Sequence, residues 1–197
     1  MIVKSGKDEL HNYLEDTSNL SGHADTVYVP QDIGELTRLL ESMSEKGMPV
    51  TFSAGGTGTT GGRVAMDGVI VSVEAFNRIL DVNIDARTIR VQAGVPMTEV
   101  ERVANSYGLS LRAQPTEPLA FIGGGVSTCA SGPKSFKYGS IREYVLALKV
   151  VLSDGTVLDI ERGRVFAHGR HFSFKMCGKS FEFGLPGYTM PQIKHAA

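Results

Sequence analysis

The sequence predicts an α+β fold in two lobes: a small β-α-β lobe over residues 1–62, then a larger lobe over 63–197 with a mostly antiparallel sheet and flanking helices. Three observations carry this reading. Apolar spacing over residues 26–53 runs strand, helix, strand. Beyond residue 68 the apolar residues alternate in hairpin patterns instead. Glycine is 23 of 197 residues, roughly 12% against a usual value of about 7%, and its excess gathers in two clusters, at 53–62 and 115–139.

In the first lobe, residues 7–16 read as a short polar helix. Thr26–Pro30 (TVYVP) is a strand closed by proline. Asp32 is placed to cap the next helix, in which Ile33, Leu36, Leu39, Leu40 and Met43 recur at helical spacing before Gly47 ends it. Residues 49–53 (PVTFS) form a second strand. A β-α-β unit sets its two strands parallel.

In the second lobe, residues 68–73 (GVIVSV) read as a buried strand. Leu80 to Asp85 alternate strictly, Ala86 and Arg87 turn the chain, and Ile89, Val91 and Ala93 alternate again, which is a hairpin. A helix follows, with Thr98 and Glu101 as a capping box and Gly108 as its close. Residues 144–152 (YVLALKVVL) are apolar on both faces, the pattern of a central strand. Asp154-Gly155 turns it into a partner strand, and Phe172, Phe174 and Met176 alternate into Phe181 and Phe183 around Gly178.

Composition bounds the function. Twenty basic and 21 acidic residues leave a net charge of −1, which gives no global attraction to nucleic acid or anionic membrane. Hydrophobic residues, at 42%, suffice for a core. The charged start is not a secretion signal, and no apolar run approaches the roughly 20 residues of a membrane span, so a cytoplasmic protein with reduced Cys129 and Cys177 is expected.

The first cluster reads Ser53-Ala54-Gly55-Gly56-Thr57-Gly58-Thr59-Thr60-Gly61-Gly62. Gly56, Gly58 and Gly61 match the dinucleotide G-x-G-x-x-G, but no helical periodicity follows, and Asp81 falls in a hairpin rather than at the end of a second strand. A Walker loop fails for want of a lysine after the glycines. What remains is a run of small residues able to turn bare N–H groups toward one anion, with three threonine hydroxyls beside them. The second cluster, Pro115 to Gly139, holds Gly123-Gly124-Gly125 and then mostly small residues. Together the clusters suggest one long ligand with its phosphates held by two glycine loops.

The two loops, their order and their spacing resemble the FAD-binding domain of the FAD-linked oxidases of the vanillyl-alcohol oxidase type, especially the glycolate oxidase FAD subunit and D-lactate dehydrogenase group. The family pattern R-G-x-G-T-S-x-x-G-G aligns with Ser53–Gly62. Its P-S-S-x-x-x-x-I-G-G-x-x-A-T-N-A-G-G-x-x-x-x-K-Y-G aligns with Pro115–Gly139. The stretches from Val69 to Val95 and from Arg142 to Leu158 also fit.

The resemblance implies non-covalent FAD. Its pyrophosphate would lie on Ala54, Gly55, Gly56, Thr57, Gly58 and Thr59, with Ser53 also among the cofactor-binding residues. Pro115, Thr116, Gly123, Gly124, Ser127, Thr128 and Gly132 would line the flavin and ribityl chain, with Tyr138 nearby. This chain departs from the pattern at Ser53, Ala54, Cys129 and Ser131, and loop one has no histidine for a covalent flavin link.

The implied function is the FAD-binding part of an oxidoreductase that moves hydride from a 2-hydroxy acid to flavin. The segment and substrate domain that complete such an enzyme are expected on another chain or a longer one, so no catalytic residue is assigned here. Two alternatives stand beside this reading: a flavin-free remnant serving as an interaction or regulatory module, and the flavin lobe of a cell-wall UDP-sugar reductase.

Elsewhere, His168-Gly169-Arg170-His171 with Cys177 lacks a zinc set, so a solvated turn and no metal site are expected. Lys134, Lys137 and Arg142 flank the second loop, where they could act on phosphate at range.

Overall fold

The computed structural model describes residues 1–176 and 178–187. Its first lobe is a four-stranded sheet of β1 (Ile2–Lys4), β2 (Thr26–Val29), β3 (Val50–Ser53) and β4 (Val69–Ser72), in the order β1-β2-β4-β3. The strands β2 and β3 are parallel, as a β-α-β unit requires, yet they do not touch. Instead β4 lies between them, parallel to both, with Val27 beside Ile70 and Thr51 beside Ile70 on the other edge. The sheet thus takes in a strand from beyond residue 62, where the sequence placed the change of lobe. The reason is burial. All four residues of β4 are buried, so it needs cover on both faces and a neighbour on both edges. The strand β1 runs antiparallel to β2; three residues are too few to show a period, and the sequence did not reveal it.

Alternation along β2 and β4 sends side chains to two cores. Val27, Val29 and Ile70 meet Leu10, Tyr13, Ala24 and Ala65. Val69 and Val71 meet Leu36, Leu39, Leu40 and Met43 of the helix Ile33–Glu45. Asp32 caps that helix by accepting from Glu35 N at 2.8 Å, a contact that contributes about 1 kcal/mol. Gly47 takes φ +61° just beyond its end. The polar helix read over residues 7–16 is shorter, an α-turn at Lys7–Leu10 and a 3₁₀ turn at His11–Tyr13. These lay Leu10 and Tyr13 on the sheet.

The second lobe is antiparallel in three separate ladders among the described residues: β5 (Ile79–Asn83) with β6 (Thr88–Val91), β7 (Ala147–Val151) with β8 (Val157–Glu161), and β9 (His171–Met176) with β10 (Lys179–Gly184). Arg87 takes φ +53° at the first turn and Gly155 φ +78° at the second. Phe172 stacks on Phe183 at 4.8 Å and Phe174 on Phe181 at 5.1 Å, which sets the third register.

Two expectations need correction. The central-strand reading of 144–152 does not hold: among the described residues β7 pairs only with β8, and Leu146 and Leu148 are 53% and 38% exposed. Apolar faces record what a strand must meet; here Val151 reaches the core beneath the helix Ile33–Glu45, while Leu146 and Leu148 stay uncovered. The capping box at Thr98 and Glu101 is also absent. The helix Met97–Ser106 begins after Pro96, so Thr98 is already inside it. Met97 N and Thr98 N donate to Ala120 O at 2.9 Å and Pro118 O at 3.1 Å, and Glu101 accepts instead from Leu111 N. Tertiary carbonyls do the work of a cap.

No helix among the described residues is long and apolar enough to cross a membrane. His168 and His171 exchange backbone hydrogen bonds around Gly169 in an exposed turn, and no metal-holding group of three appears among the described residues. Cys129 is a free thiol; Cys177 lies outside the described residues.

Candidate functional site

Loop one leaves β3 at Ser53 and reaches β4 with no helix between, which removes the dinucleotide-fold reading on structural grounds. Ser53 is fully buried, and its carbonyl accepts from Val73 N at 3.0 Å. Beyond it the polypeptide turns its acceptors inward. Gly58 O takes Thr17 N at 2.9 Å, Gly56 O takes Thr17 Oγ1 at 3.4 Å, and Gly61 O takes Val64 N at 3.0 Å. The donors are left over. Among the described residues, no backbone N–H from Gly55 to Gly62 donates a hydrogen bond, and neither do the hydroxyls of Thr57, Thr59 and Thr60. Backbone donors in folded proteins nearly always find a partner unless water or a ligand supplies one. Eight in sequence form a surface suited to phosphate oxygens. Glycine permits this, since Gly56 and Gly61 sit at φ +72° and +74°, where a β-carbon is strained.

The second cluster is built differently. Phe121 leads into a six-residue helix, Ile122–Ser127, held against the segment after β6: Ile122 N donates to Val95 O at 2.9 Å and Gly123 N to Ala93 O at 2.8 Å. Its glycines serve close packing. A β-carbon on Gly123 would come within 2.7 Å of Ala93 Cβ. One on Gly132 would overlap the Gln114 carbonyl oxygen and lie 2.9 Å from the Pro115 carbonyl carbon. That contact brings Pro115 and Thr116 beside Gly132. The hydroxyls of Ser127 and Thr128 donate back to Gly123 O at 2.8 Å and Gly124 O at 3.0 Å, so toward any ligand they offer lone pairs rather than protons.

The two clusters touch. A β-carbon on Gly124 would stand 3.3 Å from Ala54 Cβ, and one on Gly55 3.2 Å from Leu119 O and 3.3 Å from the Phe121 ring. The sequence set these segments more than sixty residues apart, and the fold joins them at Ala54-Gly55. Tyr138 sits farther along the second cluster. Its hydroxyl accepts from Arg112 Nη1 at 2.8 Å, and Lys137 and then Arg112 hold the phenol below its ordinary pKa. Lys137 stands 5.1 Å over the Tyr138 ring, which is one use for that charge.

Two features escaped the sequence reading. Cys129 takes the left-handed conformation, φ +50°, just past the short helix. Asparagine tolerates that conformation better than other residues with side chains, and the family pattern has asparagine there. The Cys129 thiol, 3.3 Å from Ser140 Oγ, is held below its ordinary pKa by that contact and by Arg142. The other is Arg63. Its guanidinium runs back under loop one, with Nη1 3.2 Å from Ala54 O and 3.3 Å from Ser53 Oγ. An arginine directly after ten small residues was the only signal, and charge alone did not say where it pointed.

Chemically the described residues of the two clusters form a surface of donors and small residues. A donor-rich loop meeting a second close-packed glycine segment defines a nucleotide-cofactor domain. The FAD binding domain family model matches residues 24–161, and the chain belongs to that family. FAD is therefore its cofactor, and the unbonded donors of loop one fit a pyrophosphate.

The chain is 36% identical over 135 residues to D-lactate dehydrogenase of Archaeoglobus fulgidus, covering 68% of this chain and 30% of that protein. It is 31% identical to D-2-hydroxyglutarate dehydrogenase of Xanthomonas citri pv. viticola, over 93% of this chain and 40% of that one. It is 32% identical to glycolate oxidase subunit GlcD of Bacillus subtilis, over 68% and 29%. The chain thus spans between a quarter and a half of the length of these relatives. Its fold is similar to 6-hydroxy-D-nicotine oxidase from Arthrobacter nicotinovorans, with TM-score 0.73 at 16% identity over 83% of this chain and 36% of that one. Alkyldihydroxyacetonephosphate synthase gives TM-score 0.70 at 21% identity, over 82% and 32%.

Proposed function

We propose that this chain is the cofactor-holding part of a flavin-dependent oxidoreductase acting on a 2-hydroxy acid, and that it does not turn over alone. The row of unbonded N–H donors from Gly55 to Gly62 carries the reading. Ala54 to Thr59 hold the pyrophosphate, with the buried Ser53 behind them. Pro115, Thr116, Gly123, Gly124, Ser127, Thr128 and Gly132 border the rest of the cofactor, near Tyr138. Bound flavin supplies hydride acceptance. The relatives named for 2-hydroxy acids, D-lactate and D-2-hydroxyglutarate among them, support the substrate class.

Substrate must be held within about 3–3.5 Å of its reaction partner, with a base for its hydroxyl proton. Around the two clusters we assign no described residue to either task. A substrate domain, on a continuing or separate polypeptide, completes the enzyme. Location in the cytoplasm is part of the same proposal.

The test is titration of the purified chain with FAD, followed by calorimetry and by quenching of flavin fluorescence, then anaerobic mixing of the loaded chain with a panel of 2-hydroxy acids. Saturable binding of one FAD with no bleaching is expected. Absence of binding overturns the cofactor assignment in favour of a flavin-free interaction module. Rapid bleaching overturns the claim that the chain needs a second part.

A further inference from the structure

Arg63 is half-buried, and every partner of its guanidinium is a neutral oxygen. Nε donates to Glu15 O at 2.7 Å, Nη1 to Ser53 Oγ and Ala54 O, and Nη2 to Asn12 O. It forms no ion pair among the described residues. The nearby carboxylate, Asp16, spends one oxygen on Ser18 N at 2.9 Å. A guanidinium withdrawn from water ordinarily gains a carboxylate or phosphate in exchange. Here burial pulls its pKa down, and the charge of nearby Asp16, which forms no ion pair with it, offsets that loss only in part. Its position is specific. The direction in which Gly56 would carry a β-carbon ends 2.6 Å from Arg63 Cζ, so the cation lies directly against the middle of loop one. The loop adds unbonded N–H donors of its own.

We infer that Arg63 is the positioning residue of the pyrophosphate site: it pins loop one to the segment Asn12–Glu15 before ligand arrives and leaves an unpaired positive charge behind the donors. This rests on the assignment of FAD to loop one and adds to it the residue that prepares the site. The family pattern begins this loop with arginine where the chain has Ser53. Arg63, ten residues later, brings a guanidinium to the Ser53 hydroxyl. The anionic moiety recognised is a diphosphate, so ADP and inorganic pyrophosphate share it with FAD, whereas riboflavin does not.

The experiment compares wild type, Arg63→Met and Arg63→Lys for binding of FAD, ADP, inorganic pyrophosphate and riboflavin by calorimetry at low and high salt, with thermal melts of each empty protein. Arg63→Met should weaken FAD, ADP and pyrophosphate by about tenfold or more and flatten their salt dependence, as loss of one screened charge requires. Riboflavin affinity should not change. Arg63→Lys should recover most of the ADP affinity, because the charge returns, while melting lower than wild type, because the fork of hydrogen bonds does not.

Equal weakening of riboflavin, or no recovery with lysine, overturns the inference and leaves Arg63 a structural clamp. If Arg63→Met does not fold, wild-type ADP binding decides: affinity that falls several-fold with added salt supports the charge, and salt-independent affinity overturns it. Wild type that binds neither FAD nor ADP overturns the cofactor assignment itself, an outcome distinct from intact wild-type binding with unaffected variants.

Discussion

The two glycine clusters look alike in sequence and do opposite things in space. In loop one, Gly55, Gly56 and Gly61 pack closely against Leu119, Arg63 and Leu20, but Gly58 has no atom nearer than 3.6 Å to where a β-carbon would stand, and the N–H groups around it are unbonded. In the second cluster glycine lets backbones close on one another, with Gly123 against Ala93 and Gly132 against Gln114–Thr116. The first cluster is held from behind by the Arg63 guanidinium, the second by backbone hydrogen bonds together with close glycine packing. A glycine-rich motif therefore does not report by itself whether its glycines face a ligand or a neighbouring strand.

The sharpest way to break this contrast is to add one methyl group to each cluster. Gly132→Ala drives a β-carbon into backbone atoms that cannot swing aside, so it should cost about 3 kcal/mol, at the upper end of overpacking. Gly58→Ala meets only an ordinary contact, with Asp16 Oδ2 at 3.6 Å, outside the left-handed region, and should leave stability within about 0.5 kcal/mol of wild type. Urea denaturation of both variants measures the difference. Equal losses would show that loop one is packed as tightly as the second cluster.

A smaller effect separates polar support from steric support. Tyr13 OH donates to Glu74 Oε1 and Oε2 at 2.9 and 2.8 Å, and Lys4 Nζ joins them with its bond to Glu74 at 3.1 Å. This clip holds the segment whose Asn12 and Glu15 carbonyls hold Arg63. Burial raises the pKa of Glu74, but Tyr13 and Lys4 outweigh it and keep the carboxyl below its ordinary value. A carboxylate so depressed adds stability above its unfolded pKa and loses it as pH falls through the folded one. Glu74→Gln should therefore melt about 2–4 °C below wild type near pH 7, the scale of a screened pair worth less than about 1 kcal/mol. That gap should close as pH drops below the ordinary carboxylate range. Thermal melts across pH 3–8 test it, and a gap constant with pH would assign the effect to shape rather than charge.

A gain rather than a loss is expected in the second cluster. Cys129→Asn places the residue best suited to φ +50° there, and should stabilise the chain by about 0.5–1 kcal/mol in the same denaturation assay. A loss would mean that the thiol's contact with Ser140 outweighs the backbone relief.

Local chemistry was legible in the sequence wherever it acts over a few residues. Asp32 as a cap, Gly47 as a stop, the hairpin turns at Arg87 and Gly155, and the exclusion of a dinucleotide fold after Gly61 all depend on spacing alone. The two clusters and their resemblance to a flavin domain were legible for the same reason, because small residues at fixed intervals are a one-dimensional signal.

What the sequence could not show is which long-range partner each segment meets. That β4 enters between β2 and β3 depends on burial from both faces at once. That the helix at Met97 is capped by Ala120 and Pro118, and not by Thr98, depends on a neighbour more than ten residues away. The exposed face of β7 reads as core until its missing neighbours are counted. Arg63 is one basic residue among twenty in the sequence, and only the folded chain carries it to the underside of the loop it follows. Periodicity and turn chemistry are local free energies that a residue's own neighbours determine, whereas burial, edge pairing and the direction of a long side chain are set by the whole packed structure.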